Sequence, residues 1–138
     1  MTPPQEGTSL ARLLRDAGLR ATRPRMVLAE LLFARGNRHV TAEMLYEETI
    51  AARSNVSLAT VYNTLNQLTE AGLLRQVGVD GSKSFFDTNV GEHHHYFLQD
   101  KDAILDIPAG AAVPLNLPAP PDGFEIARVD VVVRLRPR

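Results

Sequence analysis

The chain has 138 residues, of which 44% are hydrophobic and 22% charged, and its formal net charge is −1. This length allows one ordinary domain or two small lobes, and the sequence has neither a secretion-signal pattern nor an apolar run near the roughly 18 residues of a membrane span. The absence of cysteine excludes disulfides and thiolate metal sites, so a metal ion would need imidazole and carboxylate ligands.

Apolar residues with helical spacing predict three helices before residue 54. The first covers residues 9–17, the second follows the N-cap Thr22 and ends at Gly36, and the third follows Thr41 and ends near Arg53. The predicted buried side chains of these helices are Leu10, Leu13, Leu14, Ala17, Val27, Leu28, Leu31, Leu32, Met44, Leu45 and Ile50.

A fourth helix is predicted between the N-cap Ser57 and Gly72. Its predicted buried seam is Leu58, Val61, Leu65 and Leu68, and its predicted exposed residues are Ala59, Thr60, Asn63, Asn66 and Gln67. This exposed face carries almost no charge, whereas a solvated helix face usually carries Lys and Glu. Short polar side chains near the start of a helix can reach base edges in a major groove. Thr60, Tyr62 and Asn63 are therefore candidate base readers, with an ordinary solvated face as the alternative.

Strand-like runs follow the helices. Runs at 73–79 and 83–88 flank Asp80-Gly81-Ser82, which predicts a hairpin, and helices followed by a hairpin indicate a winged helix-turn-helix. Further strands are predicted at 94–99, 103–107 and 125–135, with alternating valines in the last, and the proline-rich residues 108–123 predict a loop with little helix. We expect an α+β fold with a boundary near Val90, domains over 1–90 and 91–138, and disorder over 1–8.

Positive charge is concentrated near the second helix. Seven arginines lie between Arg12 and Arg38, against only two acidic residues. Such a local cluster is typical of an electrostatic footprint on nucleic acid, although a charge run alone is more often solvated surface. Arg20, Arg23 and Arg25 are the candidate contacts to phosphate or a minor groove, and Lys83 in the wing is a weaker candidate.

Three consecutive histidines, His93, His94 and His95, lie near two carboxylates, Asp87 and Glu92, with His39 far away in sequence. Strand alternation would put His93 and His95 on one face and His94 on the other. A single histidine is usually a surface or core residue, but this cluster favours ligand binding. Because imidazole is a good axial ligand and cysteine is absent, all three are candidate haem ligands.

The motifs resemble those of the ferric-uptake-regulator family. The matching segments are GLRATRPR (18–25), NRHVTAEMLY (37–46), SLATVYNTL (57–65) and GSKSFFD (81–87), and the resemblance covers residues 9–138. Within the family, the run HHHYF (93–97) and the tail 125–135 resemble the iron-response-regulator branch. Its members regulate iron and haem genes and respond to haem.

This resemblance implies a winged-helix DNA-binding domain followed by a small α/β dimerisation domain whose last strand helps build the dimer interface. It maps the inter-domain metal ligands onto His39, Asp87, His93 and His95, a set that suits zinc, manganese or iron(II). A second family site would use Glu92 and His94, but its usual histidine falls near Val129, so we expect that site to be lost or altered. The DNA-binding residues are expected to be Arg20, Arg23, Arg25, Ser57, Ala59, Thr60, Tyr62, Asn63 and Lys83.

We interpret the chain as a cytoplasmic, iron- and haem-responsive transcription regulator. It would bind a double-stranded operator as a homodimer, without a membrane, and haem at the histidine segment would lower DNA binding. One alternative is a conventional metal-activated repressor, and another is a haem- or metal-binding protein or a metal-dependent enzyme. No phosphate loop, serine elbow or metalloprotease motif supports catalysis, so we expect no enzyme activity.

Overall fold

A computed structural model describes residues 8–80, 83–91, 94–108 and 116–138. The chain divides into two units, Met1–Val90 and Gly91–Arg138. The elements of the first unit are α1 (Thr8–Asp16), α2 (Arg23–Phe33), β1 (His39–Val40), α3 (Ala42–Ala51), α4 (Leu58–Glu70), β2 (Arg75–Asp80) and β3 (Lys83–Asp87). Those of the second are β4 (His95–Leu98), β5 (Ala103–Asp106) and β6 (Val132–Leu135). Helices with small sheets confirm the predicted α+β class.

Hydroxyl caps fix where three helices begin. The side chains of Thr22, Thr41 and Ser57 accept a hydrogen bond from the backbone N–H three residues on, at 3.5, 3.1 and 3.1 Å. These bonds satisfy N–H groups that have no partner inside the helix. The helices α1 and α4 are followed by Gly18 and Gly72 with φ of 83° and 81°, a conformation that favours glycine. The predicted caps are thus confirmed.

The four helices of the first unit pack around one core. Its buried members are Leu10, Leu14, Leu28, Ala29, Leu32, Val40, Ala42, Leu45, Val61, Leu65, Leu68, Leu74 and Phe86. Most of the predicted apolar stripes are confirmed by this packing. The predicted Leu13 and Leu31 lie at its margin, partly buried.

In α3 the prediction of the buried face was wrong at two positions. Met44 and Ile50 are 42% and 57% exposed, whereas Ala42, Leu45 and Thr49 are buried. The buried residues recur at helical spacing, and Thr49 fits among them because its hydroxyl donates to the Tyr46 carbonyl at 2.6 Å. Thr49 is therefore buried because its hydroxyl has a partner inside the protein, whereas Ile50, which hydrophobicity alone predicted to be buried, is exposed.

In α4 the predicted seam was wrong at Leu58, which is 36% exposed. The buried residues are Val61, Thr64, Leu65 and Leu68. Leu58 is the first residue of the helix, so it precedes the turns that pack on the core. The predicted exposure of Ala59, Asn63, Asn66 and Gln67 is confirmed, and Thr60 is half-buried.

The sheet of the first unit has the antiparallel strand order β1-β3-β2. The two-residue strand β1 was not predicted, because it is too short to show a period of its own. The first strand of the predicted hairpin begins at Arg75, two residues later than predicted. The reason is that the N–H groups of Leu73 and Leu74 donate to the Leu68 carbonyl at the end of α4. Gly81 and Ser82 of the predicted turn, and residues 1–7, lie outside the described residues.

The sheet of the second unit has the order β5-β4-β6, with β5 antiparallel and β6 parallel to β4. The predicted strand over 125–135 is confirmed only for Val132–Leu135, because β4 offers four residues for pairing. Residues 116–123 contain no helix or strand, as predicted for the loop, and 109–115 lie outside the described residues. The described part of this unit contains strands alone, so the helical component predicted for it has no counterpart there.

None of the helices in the described ranges is long and apolar enough to cross a membrane.

Candidate nucleic-acid interface and candidate metal centre

One side of α4 presents small and polar side chains to solvent. We call it the α4 outer face, and it consists of Ala59, Tyr62, Asn63, Asn66 and Gln67. No member of this set carries a charge at neutral pH. The arginines predicted to accompany it lie at the start of α2, where Arg20 and Arg23 are exposed and Arg25 is half-buried. The predicted Lys83 begins β3, and its side chain is outside what the structure describes.

Arg25 connects these two groups of residues. Its Nε and Nη2 donate to Gln67 Oε1 at 3.4 and 3.1 Å, and its Nη1 donates to the Arg20 carbonyl at 3.0 Å. A guanidinium has five N–H donors in a fixed plane, so two remain for another acceptor. Arg25 therefore holds the arginine-bearing segment against the α4 outer face in addition to carrying charge.

Ser57 and Thr60 bind each other at the start of α4. The Ser57 hydroxyl donates to Thr60 Oγ1 at 2.9 Å and accepts from the Thr60 backbone N–H at 3.1 Å. Both side chains had been predicted as DNA contacts. Ser57 is the N-cap here, and its hydrogen-bonding groups are used to begin the helix that carries the outer face.

Tyr62 is joined to a residue that sequence reasoning missed. Its hydroxyl donates to Oε1 of Glu43, in the first turn of α3, and this hydrogen bond raises the pKa of Tyr62. The Tyr62 side chain stays 40% exposed. Periodicity within one helix gives no signal for a bond between two helices, so the sequence could not have revealed this pair.

The strands β1 and β3 bring together two of the four predicted metal ligands. His39 and Asp87 are register partners, and His39 Nε2 lies 3.2 Å from Asp87 Oδ2. The Asp87 side chain is fully buried, and its Oδ1 accepts from the Asn89 N–H at 2.8 Å. On the other side of β3, the buried Arg75 is also in register with Asp87. Arg75 was missed because the run 73–79 was considered for strand formation alone.

An ion pair anchors the segment before β1. The Arg38 guanidinium donates to both Glu48 oxygens, at 2.8 and 2.5 Å, and to the Leu31 carbonyl at 2.8 Å. The bonds to Glu48 raise the pKa of Arg38. The Arg38 backbone N–H donates to Thr88 Oγ1 at 2.9 Å, which continues the pairing of β1 with the end of β3. These contacts fix the backbone on both sides of the His39–Asp87 pair.

In the second unit, His95 pairs with another carboxylate that sequence reasoning missed. His95 is fully buried on β4, and its Nε2 lies 3.5 Å from Oδ1 of its register partner Asp106. Folding the predicted runs 94–99 and 103–107 into a hairpin would have placed these residues opposite each other. Asp106 was missed because the second run was considered for strand formation alone.

His94 makes a different contact. Its Nδ1 accepts from the Val131 backbone N–H at 3.2 Å, just before β6 begins. The remaining predicted ligands, Glu92 and His93, lie outside the described residues.

The residue types present fit a divalent metal ion. Two ligands on one such ion lie about 3 Å apart, given metal–ligand distances of about 2 Å. The imidazole–carboxylate separations of 3.2 and 3.5 Å match this spacing, each within its own unit. Imidazole with carboxylate suits zinc, manganese or iron(II). A direct His–Asp hydrogen bond has a similar length, so each pair can exist without a metal ion and can also bind one.

The family assignment follows from comparison with known proteins. Residues 16–109 match the model of the ferric uptake regulator family. The chain belongs to this family. The ferric uptake regulation protein of Shigella flexneri is 40% identical over 85 residues, and that of Legionella pneumophila is 38% identical over the same length. Each alignment covers 62% of this chain, and 57% and 62% of the respective relative. The chain thus spans about three fifths of the curated ferric uptake regulators it matches.

Solved ferric uptake regulators share the fold. The regulator from Pseudomonas aeruginosa, solved with manganese, has a TM-score of 0.69 and 27% identity, covering 94% of this chain and 98% of its own. The regulator from Vibrio cholerae has a TM-score of 0.71 over 91% and 97% of the two chains, at 24% identity. The helix-rich first unit and the sheet of the second unit therefore correspond to the architecture of ferric uptake regulators.

Proposed function

We propose that this chain is a metal-responsive transcription regulator that binds specific duplex DNA as a homodimer and has no catalytic activity. The observation that carries the proposal is the uncharged α4 outer face, flanked by arginines, in a chain of the ferric uptake regulator family. A helix fits in the major groove, where short polar side chains on its exposed face can bond base edges. The proposed place of action is the cytoplasm.

Base reading is assigned to the α4 outer face and phosphate binding to the cations around it. Asn63 and Tyr62 are the proposed base contacts, with Ala59 and Thr60 beside them. Arg20 and Arg23 are the proposed phosphate contacts, because they are exposed at the start of α2. Lys83 remains a proposal for the wing, and Ser57 is proposed to act by capping α4.

The proposed metal ligands are His39, Asp87, His93 and His95. Support comes from the two imidazole–carboxylate pairs, each with a spacing that suits coordination. A relative from Pseudomonas aeruginosa was solved with manganese and one from Francisella tularensis with iron. When bound, a metal ion would supply positive charge, and the carboxylates of Asp87 and Asp106 would orient the imidazoles of His39 and His95, each within its own unit.

The homodimer is proposed to form through the second unit. Among the described strands, β6 pairs with β4 alone, and its Val133 and Leu135 are 36% and 37% exposed. An apolar edge strand is open to pairing with another chain, and a second copy would cover it. Two α4 helices related by a two-fold axis would read a roughly palindromic site.

A second candidate function adds haem as the regulatory ligand, as in the iron-response-regulator branch, and is favoured by three consecutive histidines in a chain without cysteine. Of the two described ones, His95 is buried beside Asp106, whereas His94 is half-buried and its Nδ1 accepts a hydrogen bond. Haem iron would therefore meet His94 at Nε2. Binding there requires the proton to move to Nδ1, which breaks the bond from Val131.

Haem absorbance titrations of His94→Ala and His95→Ala test the haem proposal. We expect His94→Ala to weaken haem binding more than His95→Ala does, and haem to weaken operator binding by the wild type. If haem binds without changing operator affinity, the conventional metal-sensing regulator is the better description.

Selection from a library of random duplexes tests DNA recognition itself. The metal-loaded protein is expected to enrich a roughly palindromic sequence, and Asn63→Ala is expected to enrich it less. No enrichment by the wild type would support the rival function, a metal- or haem-binding protein without DNA specificity.

A further inference from the structure

The bond between Tyr62 and Glu43 places a carboxylate beside the surface that we propose for base reading. Tyr62 is exposed on the α4 outer face, and the exposed Glu43 is in the first turn of α3. An acidic residue in a first turn stabilises its own helix by interacting with the helix dipole. That role does not require a partner on α4, yet Glu43 also bonds Tyr62.

The direction of the Tyr62–Glu43 hydrogen bond determines what else the phenol can bind. A phenol hydroxyl has one hydrogen to donate and lone pairs to accept with. The hydrogen of Tyr62 is donated to the Glu43 carboxylate. The Tyr62 oxygen can then only accept from a third group, and a charged partner makes it a stronger acceptor.

We infer that Glu43 makes Tyr62 an acceptor that determines base specificity, by recognising the exocyclic amino group of adenine or cytosine in the major groove. These amino groups are the donors that bases present there, whereas guanine and thymine present oxygen acceptors. Phosphate oxygens are acceptors as well, so the paired Tyr62 cannot bond the backbone. The inference rests on the proposed DNA-binding function and deepens it.

The charge of Glu43 has a second effect, on sequence-independent affinity. Duplex DNA of any sequence presents phosphates, and sequence-independent affinity comes mainly from cations that neutralise them. A carboxylate at this surface lowers affinity for every duplex. On the right sequence the base contact at Tyr62 compensates for this loss, whereas on other sequences nothing does, so non-specific complexes stay weak.

The test uses selection from a random duplex library with wild type, Tyr62→Phe, Glu43→Ala and Glu43→Gln. Glu47→Ala is the matched control, because Glu47 is an exposed carboxylate on the same helix. We expect Tyr62→Phe and Glu43→Ala to relax the preference for adenine or cytosine at the same position. Glu43→Gln keeps an acceptor for the Tyr62 hydroxyl, so we expect it to retain that preference while binding unselected duplex about threefold more tightly.

Affinities for one modified duplex give the second readout. Purine in place of the recognised adenine lacks the amino group, as does pyrimidin-2-one in place of cytosine. We expect either replacement to lower the duplex affinity of the wild type about fivefold and to leave that of Tyr62→Phe almost unchanged. If Tyr62→Phe keeps the wild-type preference, or Glu43→Ala behaves like Glu47→Ala, the inference is wrong. If the wild type itself selects no sequence, the proposed function fails instead.

Discussion

His39 and Asp87 face each other across β1 and β3, with the imidazole Nε2 3.2 Å from the carboxylate Oδ2. The relationship depends on a strand of only two residues, which pairs with the end of the wing strand β3. Because the Asp87 side chain is fully buried, its charge needs partners inside the protein. His39 and the Asn89 N–H are two of these partners, and a metal ion would be a stronger one.

If this pair binds metal, removing either member should weaken binding sharply. We predict that His39→Ala and Asp87→Ala each reduce manganese affinity at least tenfold, since even residues that only orient metal ligands contribute about tenfold. Equilibrium dialysis with manganese measures the effect, and Asp100→Ala, an exposed carboxylate on another segment, is the control. Unchanged affinity in both variants would remove these residues from the site.

Substitutions of Ser57, the N-cap of α4, distinguish a structural role of this residue from a role in binding DNA. Ser57→Ala should lower the free energy of unfolding by about 1 kcal/mol, because the Thr60 N–H loses its acceptor. Ser57→Asp should restore most of that stability, since aspartate caps equally well, but should weaken duplex binding by repelling phosphate. Urea unfolding and a duplex titration measure the two properties. Wild-type stability of Ser57→Ala would contradict the cap assignment.

Arg20 and Asn63 should differ in the kind of binding they contribute. Arg20→Ala is predicted to weaken all duplexes alike and to reduce the slope of log affinity against log salt by about 1. Asn63→Ala is predicted to leave that slope unchanged and to weaken only the selected sequence, by about 1–3 kcal/mol. Fluorescence anisotropy at several salt concentrations distinguishes them, and equal salt slopes for both variants would show that the phosphate assignment is wrong.

The raised pKa of Tyr62 predicts a pH dependence. Because the bond to Glu43 favours the neutral phenol, the folded pKa lies above the ordinary value of 10.0. Its contribution to stability is fully present below pH 10 and is lost as pH rises through the raised pKa. In an alkaline titration, the tyrosinate absorbance of the three tyrosines should include a late component, which appears at higher pH than the rest. Tyr62→Phe should remove this component, and Glu43→Ala should shift it to lower pH. A late component that survives in Tyr62→Phe would refute the assignment.

The sequence predicted those features that depend on neighbours along the chain. Thr41 as a cap and Leu45 as a core residue follow from local spacing, and both are confirmed. Met44 was placed on the wrong face, because hydrophobicity alone does not show which side of a short helix meets the core.

Features that depend on pairing between distant segments were largely missed. The strand that carries His39 and the position of Asp106 opposite His95 depend on register, which one sequence does not specify. The family resemblance nevertheless gave His39, Asp87 and His95 as proposed ligands before any register was known. For His39 and Asp87, the structure supplies a physical basis for grouping them.

Metal-dependent recognition of a selected duplex tests the central claim most directly. The measurement is the affinity of wild type and His39→Ala for the duplex enriched from the random library, with manganese and with chelator. We predict at least tenfold tighter binding by the wild type with manganese, and no such gain in His39→Ala, because the variant lacks a proposed ligand. Equal wild-type affinity with manganese and with chelator, or an undiminished gain in His39→Ala, would contradict a metal-responsive regulator that senses through this site.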